Sequence, residues 1–155
     1  MTTLEVRRVR QSDPEAAPLV AELTYEYTSR YGPMGAEEMQ RPADVFEPPN
    51  GQFLLLMEAG VAVAGGAFKR FDAETAEMKR IWTHSQHRRR GLARRVLVEL
   101  ENEARTFGYS RIYLTTGPRQ PEAKGLYLAT GYTPLFDVDT DPLTIGPLAF
   151  SKVIH

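Results

Sequence analysis

The amino-acid sequence predicts a mixed α/β fold, in which one central sheet of about six to seven strands is flanked by about four helices. Runs with strand patterns alternate with runs of helical periodicity. A tight Ala59-Gly60 turn joins two apolar runs as an antiparallel hairpin. Later strand–helix–strand units favour parallel neighbours. Together these observations predict a mixed sheet within a single domain that spans residues 1–155.

The first half of the chain is predicted to form a strand, two helices and the hairpin: Leu4 to Arg10, Ser12 to Tyr31, Gly35 to Gln40, Gln52 to Glu58 and Val61 to Phe71. Asp13-Pro14 marks the start of the first helix, because a capping residue precedes a proline. Gly65 and Gly66 inside the second hairpin strand predict a bulge or a close backbone approach.

The second half is predicted to form the remaining strands and helices: strands Glu77 to Thr83, Arg111 to Thr116, Tyr132 to Val138 and Gly146 to Val153, and helices Gly91 to Phe107 and Gln120 to Ala129. Leu92, Val96, Leu100 and Ala104 form one apolar stripe on the longer helix, and Gly108 ends it. The last two strands are joined by an acidic loop.

Composition excludes several classes of protein. Apolar residues make up 42% of the 155 residues, which is enough for a core, and no run of 18 apolar residues could span a membrane. The N-terminus lacks an apolar signal-peptide core, so we expect a cytoplasmic protein. The absence of cysteine excludes disulfides, thiolate metal sites and a cysteine nucleophile.

The stretch from Ala76 to Ala93 joins a strand, a basic turn and a helix start. Seven basic residues and no acid lie between Met78 and Val98, which leaves 12 basic against 20 acidic residues elsewhere. The N–H groups of a first helical turn bind anions, and Gly91 lets a phosphate approach the backbone. A phosphate cradle is therefore predicted; the alternative is a solvated basic helix face.

The pattern Arg88-x-x-Gly91-x-Ala93 resembles the Gln/Arg-x-x-Gly-x-Gly/Ala signature of the GNAT superfamily of acyl-CoA-dependent N-acetyltransferases. The order of predicted strands and helices is also that of the GNAT fold. The resemblance implies that acetyl-CoA is the co-substrate and that its pyrophosphate lies on the turn formed by Arg88, Arg89, Arg90, Gly91, Leu92 and Ala93. It also implies that the backbone of Ile81, Trp82 and Thr83 pairs with the pantetheine arm, and that one N–H polarises the thioester carbonyl.

A second stretch, Gln120-x-x-Ala123-x-x-Leu126-Tyr127-x-x-x-Gly131-Tyr132, is similar to another GNAT motif. The resemblance implies that Gln120 and Ala123 contact the cofactor and that Tyr127 protonates the departing thiolate. Gln120 stands where asparagine is usual. A phenol with a pKa near ~10 can donate to a thiolate whose conjugate acid has a pKa near ~8.5. The alternative for Tyr127 is a packed core aromatic.

Glu77 lies 14 positions before Gly91, a spacing at which several GNAT enzymes carry a catalytic glutamate. An ammonium with a pKa near ~10 must lose a proton before it attacks a thioester, and a carboxylate can accept that proton. The alternative is a glutamate in an ion pair with Lys79 or Arg80.

No metal site is predicted. His84 and His87 lack a third ligand, and Asp137-x-Asp139-x-Asp141 lacks the glycine and distal glutamate of a calcium loop. The expected function is acetyl transfer to the primary amine of a small molecule, by direct attack in a ternary complex. The alternative is a non-catalytic acyl-CoA-binding module. With a net charge of −1, the chain is not expected to bind nucleic acid.

The acceptor is expected to be cationic. Acids occur in two stretches expected to wall the pocket: Glu22, Glu26, Glu37 and Glu38 in the first helices, and Asp137, Asp139 and Asp141 in the last loop. Arg30, Lys69 and Arg70 are the contrary observation, since they could bind a substrate carboxylate. No membrane partner is expected, and a homodimer is left open.

Overall fold

A sheet of seven strands forms the centre of the molecule, and the computed structural model describes residues 3–155 of the chain. The strands are β1 (Leu4–Val9), β2 (Gln52–Glu58), β3 (Val61–Arg70), β4 (Thr75–Thr83), β5 (Arg111–Thr116), β6 (Thr133–Pro134) and β7 (Leu148–Val153). The helices are α1 (Ala17–Tyr31), α2 (Pro33–Gln40), α3 (Leu92–Thr106), α4 (Pro121–Ala129) and the short α5 (Pro142–Ile145). Three-residue 3-10 turns occur at Pro14–Ala16, Asp44–Phe46 and Ser85–His87.

The strand order is β1-β2-β3-β4-β5-β7-β6. The β4–β5 pair is parallel, whereas the other neighbouring pairs are antiparallel. This arrangement confirms the predicted mixed sheet. Each face carries its own apolar core: Val96 and Leu100 of α3 pack on one face, and Leu19 and Leu23 of α1 pack on the other.

The glycine pair in β3 marks a bulge, as predicted. The register between β3 and β4 shifts between Gly65 and Ala67. A Cβ at Gly66 would lie 2.8 Å from Ile81 Cδ1 and 2.9 Å from Leu100 Cδ1. Glycine therefore lets α3 pack directly onto the sheet at this point.

The predicted strand from Tyr132 to Val138 is wrong beyond Pro134. Strand β6 contains only Thr133–Pro134, and the prediction missed α5 in the acidic loop. The aspartates of this loop bind its own backbone: Asp137 Oδ1 accepts from Asp139 N at 2.9 Å, and Asp141 Oδ1 accepts from Leu143 N at 3.0 Å. Such side-chain bonds favour turns and helix caps over a strand.

Strands β4 and β5 separate soon after they begin. Their parallel register holds only from Thr75 to Glu77 on β4, opposite Arg111 to Tyr113 on β5. Beyond this point β4 contains Arg80, whose φ of 64° is unusual for a residue with a side chain. A wedge-shaped opening therefore cuts into the sheet from the carboxyl ends of the two strands.

Candidate active site

The opening between β4 and β5 continues into a cleft of about 900 Å³ that passes through the sheet. One end, the turn end, is lined by residues of the turn before α3 and of its first residues: Arg88, Arg89, Gly91, Leu92, Ala93 and Arg94. The other end, the helical end, is lined by residues of α1 and α2: Glu26, Tyr27, Arg30, Tyr31, Met34, Gly35 and Glu38. The cleft therefore joins the start of α3 to the space lined by α1 and α2.

The turn end has the geometry of a phosphate cradle. Helix α3 begins at Leu92, directly after Gly91 with a φ of 73°. The first hydrogen bond across the helix start runs from Arg95 N to Gly91 O at 3.3 Å. The N–H groups of the three helical residues before Arg95 therefore have no acceptor within the helix. A Cβ added at Gly91 would meet no atom within 4 Å, so a ligand has room there.

Two of the three predicted turn arginines line the cleft, and the third does not. Arg88 and Arg89 are exposed at the turn end. Arg90 instead donates to the Glu58 carboxylate at 3.2 and 2.5 Å and lies 2.8 Å from His87 Nδ1. The hydrogen bond from Arg90 also holds the pKa of the Glu58 carboxyl below its usual value. Glu58 therefore turns Arg90 away from the cleft.

The open edge of β4 offers backbone groups to the cleft in alternation. His84 N donates to Val63 O at 2.9 Å, and Trp82 lies opposite Gly65, so the backbone of Trp82 faces β3. The alternation of a strand then directs the N–H and C=O groups of Ile81 and Thr83 towards β5, which has already diverged. Of the three predicted backbone contacts, two therefore face the opening.

Tyr127 presents a hydroxyl to the cleft from an otherwise buried ring. Its side chain packs against Tyr132 and Phe150, and the residue is 5% exposed. Within residues 3–155 the Tyr127 Oη has no hydrogen-bond partner. In the same part of the chain, every fully buried polar side-chain atom has a partner, so the Oη is not fully buried. The Oη is therefore accessible from the cleft. Burial, followed by the neighbouring Tyr27, raises the pKa of the Tyr127 phenol, so it stays protonated.

Gln120 lines the cleft, but its side-chain oxygen already accepts hydrogen bonds from other residues of the protein. Its Oε1 accepts from Gly117 N at 3.1 Å, from Thr116 Oγ1 at 3.3 Å and from Tyr31 Oη at 3.2 Å. The side chain thus ties the loop after β5 to the end of α1. Ala123 lines the cleft one helical turn later.

Glu77 does not line the cleft. Its carboxylate lies 3.7 Å from Lys69 Nζ and 3.8 Å from Lys79 Nζ, and its side chain is 12% exposed. The ion pair with Lys79 is the alternative that the sequence raised for this residue. Its role as a base stays a prediction.

Glu38 is an acid in the cleft that the motifs did not indicate. It lies 3.2 Å from Arg80 Nη1, 3.4 Å from Lys79 Nζ and 3.3 Å from Arg41 Nε. Burial disfavours its charge, but Lys79 and the hydrogen bond from Arg80 outweigh burial and hold the pKa of the Glu38 carboxyl below its usual value. Glu38 is therefore ionised and fixed.

Two tyrosines that the sequence motifs did not indicate, Tyr27 and Tyr31, also lie at the helical end. Tyr27 lines it beside Tyr127, and burial raises the pKa of the Tyr27 phenol to about 12. Tyr31 touches Gly117 so closely that a Cβ there would lie 1.8 Å from Tyr31 Oη. Gly117 directly follows a predicted strand, which was the one available signal of a close approach.

The predicted acidic walls form only in part, because Glu26 and Glu38 of the first helices line the cleft and the other predicted acids do not. Asp137, Asp139 and Asp141 do not line the cleft, and Glu22 binds Trp82 Nε1 at 3.0 Å and Ser85 Oγ at 2.6 Å. Glu26 lines the cleft in an ion pair with Arg30 at 3.4 Å.

Two searches of residues 3–155 gave no site of another kind. No helix in this range is both long and apolar enough to cross a membrane. The same residues form no group of three or more histidine or acidic side chains suited to a metal ion.

Comparisons with known proteins agree with this geometry. The model of the acetyltransferase (GNAT) family matches residues 17–132. The chain is 35% identical over 92 residues to an uncharacterized N-acetyltransferase, YsnE, of Bacillus subtilis (strain 168), and 32% identical over 102 residues to IAA acetyltransferase of Azospirillum brasilense. These alignments cover 56% and 63% of the chain, and 61% and 66% of the two relatives. The chain thus spans less than two thirds of the length of either relative.

A solved structure extends the likeness to the whole fold. PaiA N-acetyltransferase from Thermoplasma acidophilum, in complex with coenzyme A, superimposes with a TM-score of 0.74 at 16% identity. The match covers 97% of the chain and 99% of that structure. The split sheet, the cradle before α3 and the family match over three quarters of the sequence lead to one conclusion: the chain belongs to the acetyltransferase (GNAT) family.

Proposed function

We propose that the protein is an N-acetyltransferase that moves the acetyl group of acetyl-CoA to the primary amine of a small molecule, by direct attack in a ternary complex. The observation that carries the proposal is the cleft itself. An anion-binding helix start, an open strand edge and the Tyr127 hydroxyl all face one continuous space. That residues from separate sequence motifs, Arg90 excepted, line the same cleft supports this proposal.

The residues at the turn end suit coenzyme A. The unpartnered N–H groups of Leu92, Ala93 and Arg94 would bind the pyrophosphate, with Arg88 and Arg89 supplying charge. The space at Gly91 accommodates an anion against the backbone. Further along, the outward amides of β4 would pair with the amides of the pantetheine arm, as an added strand does.

The transfer forms one bond and breaks another. The amine nitrogen attacks the thioester carbonyl, the C–N bond forms, and the C–S bond breaks to release the thiolate. Tyr127 donates its proton to that thiolate, a role supported by a hydroxyl that is accessible from the cleft. The second proton of the amine nitrogen, lost as the amide forms, restores the Tyr127 phenol. Glu77 accepts the ammonium proton, directly or through water; its position on β4, where the strands begin to part, supports this role. An outward N–H of β4 stabilises the developing oxyanion.

One observation favours a second candidate, a module that binds acyl-CoA without turnover. Glu77 is held between two lysines and lies outside the cleft lining. A base that cannot reach the acceptor would leave the binding site intact and the reaction uncatalysed. The two candidates differ only in whether an amine is acetylated.

Turnover separates the two candidates. The purified protein is mixed with acetyl-CoA and a panel of amines, and the released thiol and the acetylated product are both measured. We expect product that depends on both substrates. Tight binding of acetyl-CoA without product from any amine would favour the binding module.

A pair of glycine variants tests the location of the cofactor. Gly91→Asp adds a negative charge in the cradle, and we expect the Kd for coenzyme A to rise by about 10-fold or more because like charges repel. Gly108→Asp is the matched control: Gly108 also has a positive φ, of 94°, and open space around it, but it does not line the cleft. If both folded variants bound coenzyme A equally well, the cradle would be misplaced.

A further inference from the structure

We infer that the acceptor is an amine that carries a carboxylate, such as an amino acid, and that Arg119 binds this carboxylate. The inference rests on the proposed acetyl transfer and specifies its substrate. It differs from the cationic acceptor that the acidic stretches of the sequence predict, because the structure distributes the charges differently.

The acids at the helical end of the cleft are already neutralised. Glu26 pairs with Arg30, and Glu38 pairs with both Lys79 and Arg80. The aspartates of the last loop lie outside the lining. A purely cationic acceptor would therefore meet no unpaired acid of α1 or α2, although the exposed Glu122, three residues after Arg119, also lines the cleft.

The cations at the same end outnumber the acids. Four basic residues line it or the segment beside it, namely Arg30, Lys79, Arg80 and Arg119, against the three acids Glu26, Glu38 and Glu122. The local formal charge is therefore +1. Such a field attracts an anionic group and repels an ammonium that has no anion of its own.

Arg119 is the cation that remains available. Its guanidinium makes no hydrogen bond or ion pair with any residue in the range 3–155, and the residue is exposed. The backbone of Arg119 is nevertheless fixed: its N–H donates to Tyr31 Oη at 3.2 Å, and its C=O accepts from Arg30 Nη1 at 3.0 Å. An anchored backbone with an unoccupied guanidinium suits bidentate binding of a carboxylate.

These backbone contacts also separate Arg119 from the turn end. Both partners belong to α1, which lines the helical end, whereas Arg88, Arg89 and Arg94 supply the charge at the turn. The exposed carboxylate of Glu122, three residues after Arg119, lines the cleft and can face the amine of a zwitterion. Tyr27, Met34 and Pro147 add apolar surface for a side chain.

Matched substrates test the inference. Leucine is compared with leucinamide and 3-methylbutylamine, and methionine with methioninamide, in a panel that includes amines without a carboxylate. We expect kcat/KM for the amino acids to exceed that for the amides by about 10- to 100-fold, the size of a charge-assisted contact. The amine of an amide is less basic and more of it is free, so ionisation of the amine does not produce this preference.

Arg119→Gln should then remove the preference, mainly by raising KM for the amino acids. Arg111→Gln, at an exposed arginine outside the cleft, is the control and should keep the preference. The Kd for coenzyme A should be the same in both variants. A loss of coenzyme A affinity in Arg119→Gln would assign Arg119 to a cofactor phosphate and overturn the inference.

The remaining outcomes are distinct. If amides or other amines without a carboxylate were acetylated as well as the amino acids or better, the carboxylate would be wrong, while the proposed acetyl transfer would stand. If no amine were acetylated, the proposed function would fail and the inference with it.

Discussion

Glu38→Gln should destabilise the protein at neutral pH by removing the charge opposite a buried arginine. Arg80 is 2% exposed, and its guanidinium donates to Glu38 Oε1 at 3.2 Å, to Glu38 O at 3.1 Å and to Gln11 Oε1 at 3.1 Å. Glutamine can still accept one hydrogen bond, so only the charge-assisted part is lost. We expect the free energy of unfolding to fall by about 1–3 kcal/mol, or about 2–4 °C of Tm per kcal/mol at this chain length. The exposed pair with Arg41 adds little.

The effect should disappear in acid. The pKa of the Glu38 carboxyl is lower in the folded protein than in the unfolded chain. Its stabilisation is therefore complete above the unfolded value of about 4.5 and is lost as the pH falls through the lower folded value. Urea unfolding of parent and variant at neutral and acid pH measures this. Glu37→Gln is the control, because the neighbouring Glu37 is exposed. A difference at pH 7 that persisted unchanged to about pH 3 would refute the reasoning.

Two further predictions concern the reaction. Tyr127→Phe should lower kcat by about 10²- to 10⁴-fold. The Kd for coenzyme A and the Tm should stay nearly constant, because the Oη has no hydrogen-bond partner within residues 3–155 that the substitution would leave unpaired. Unchanged turnover at saturating substrates, where chemistry limits the rate, would make Tyr127 a packing residue. Glu77→Gln should slow turnover near neutral pH and recover at high pH, where free amine is abundant. Rate profiles of parent and variant that overlay from about pH 6 to 10 would exclude Glu77 as the base.

Much of the fold could be read from local chemistry. The Ala59-Gly60 turn and the helix start after Gly91 use glycines with a positive φ, and the bulge beside Gly65 has glycines where a Cβ would clash. Glycine reveals both requirements in the sequence. Helix α5 was missed although Asp141-Pro142 repeats the Asp13-Pro14 pattern that marked the first helical segment. The sequence signal for the start of α5 is therefore present in a segment that the sequence analysis predicts as a loop.

The helical end of the cleft could not be read in this way. Arg80 adopts a positive φ without being glycine, because contacts with Gln11 and Glu38, 69 and 42 residues away in the chain, hold its side chain. Tyr31 and Arg119 meet across a separation of 88 residues. Glu58, which draws Arg90 away from the turn, is 32 residues from it. Such pairings arise only when the sheet is assembled, and no local pattern records them.

The short β4–β5 ladder has a mechanical consequence. Within residues 3–155, the backbone ladder between the first four strands and the last three runs only from Thr75 to Glu77 on β4, opposite Arg111 to Tyr113 on β5, so the sheet has a seam in its middle. A pantetheine arm along the open edge of β4 would bridge the two parts of the sheet at that seam. Binding would then stabilise the folded state, since a ligand at 100 times its Kd raises the free energy of unfolding by about 2.7 kcal/mol.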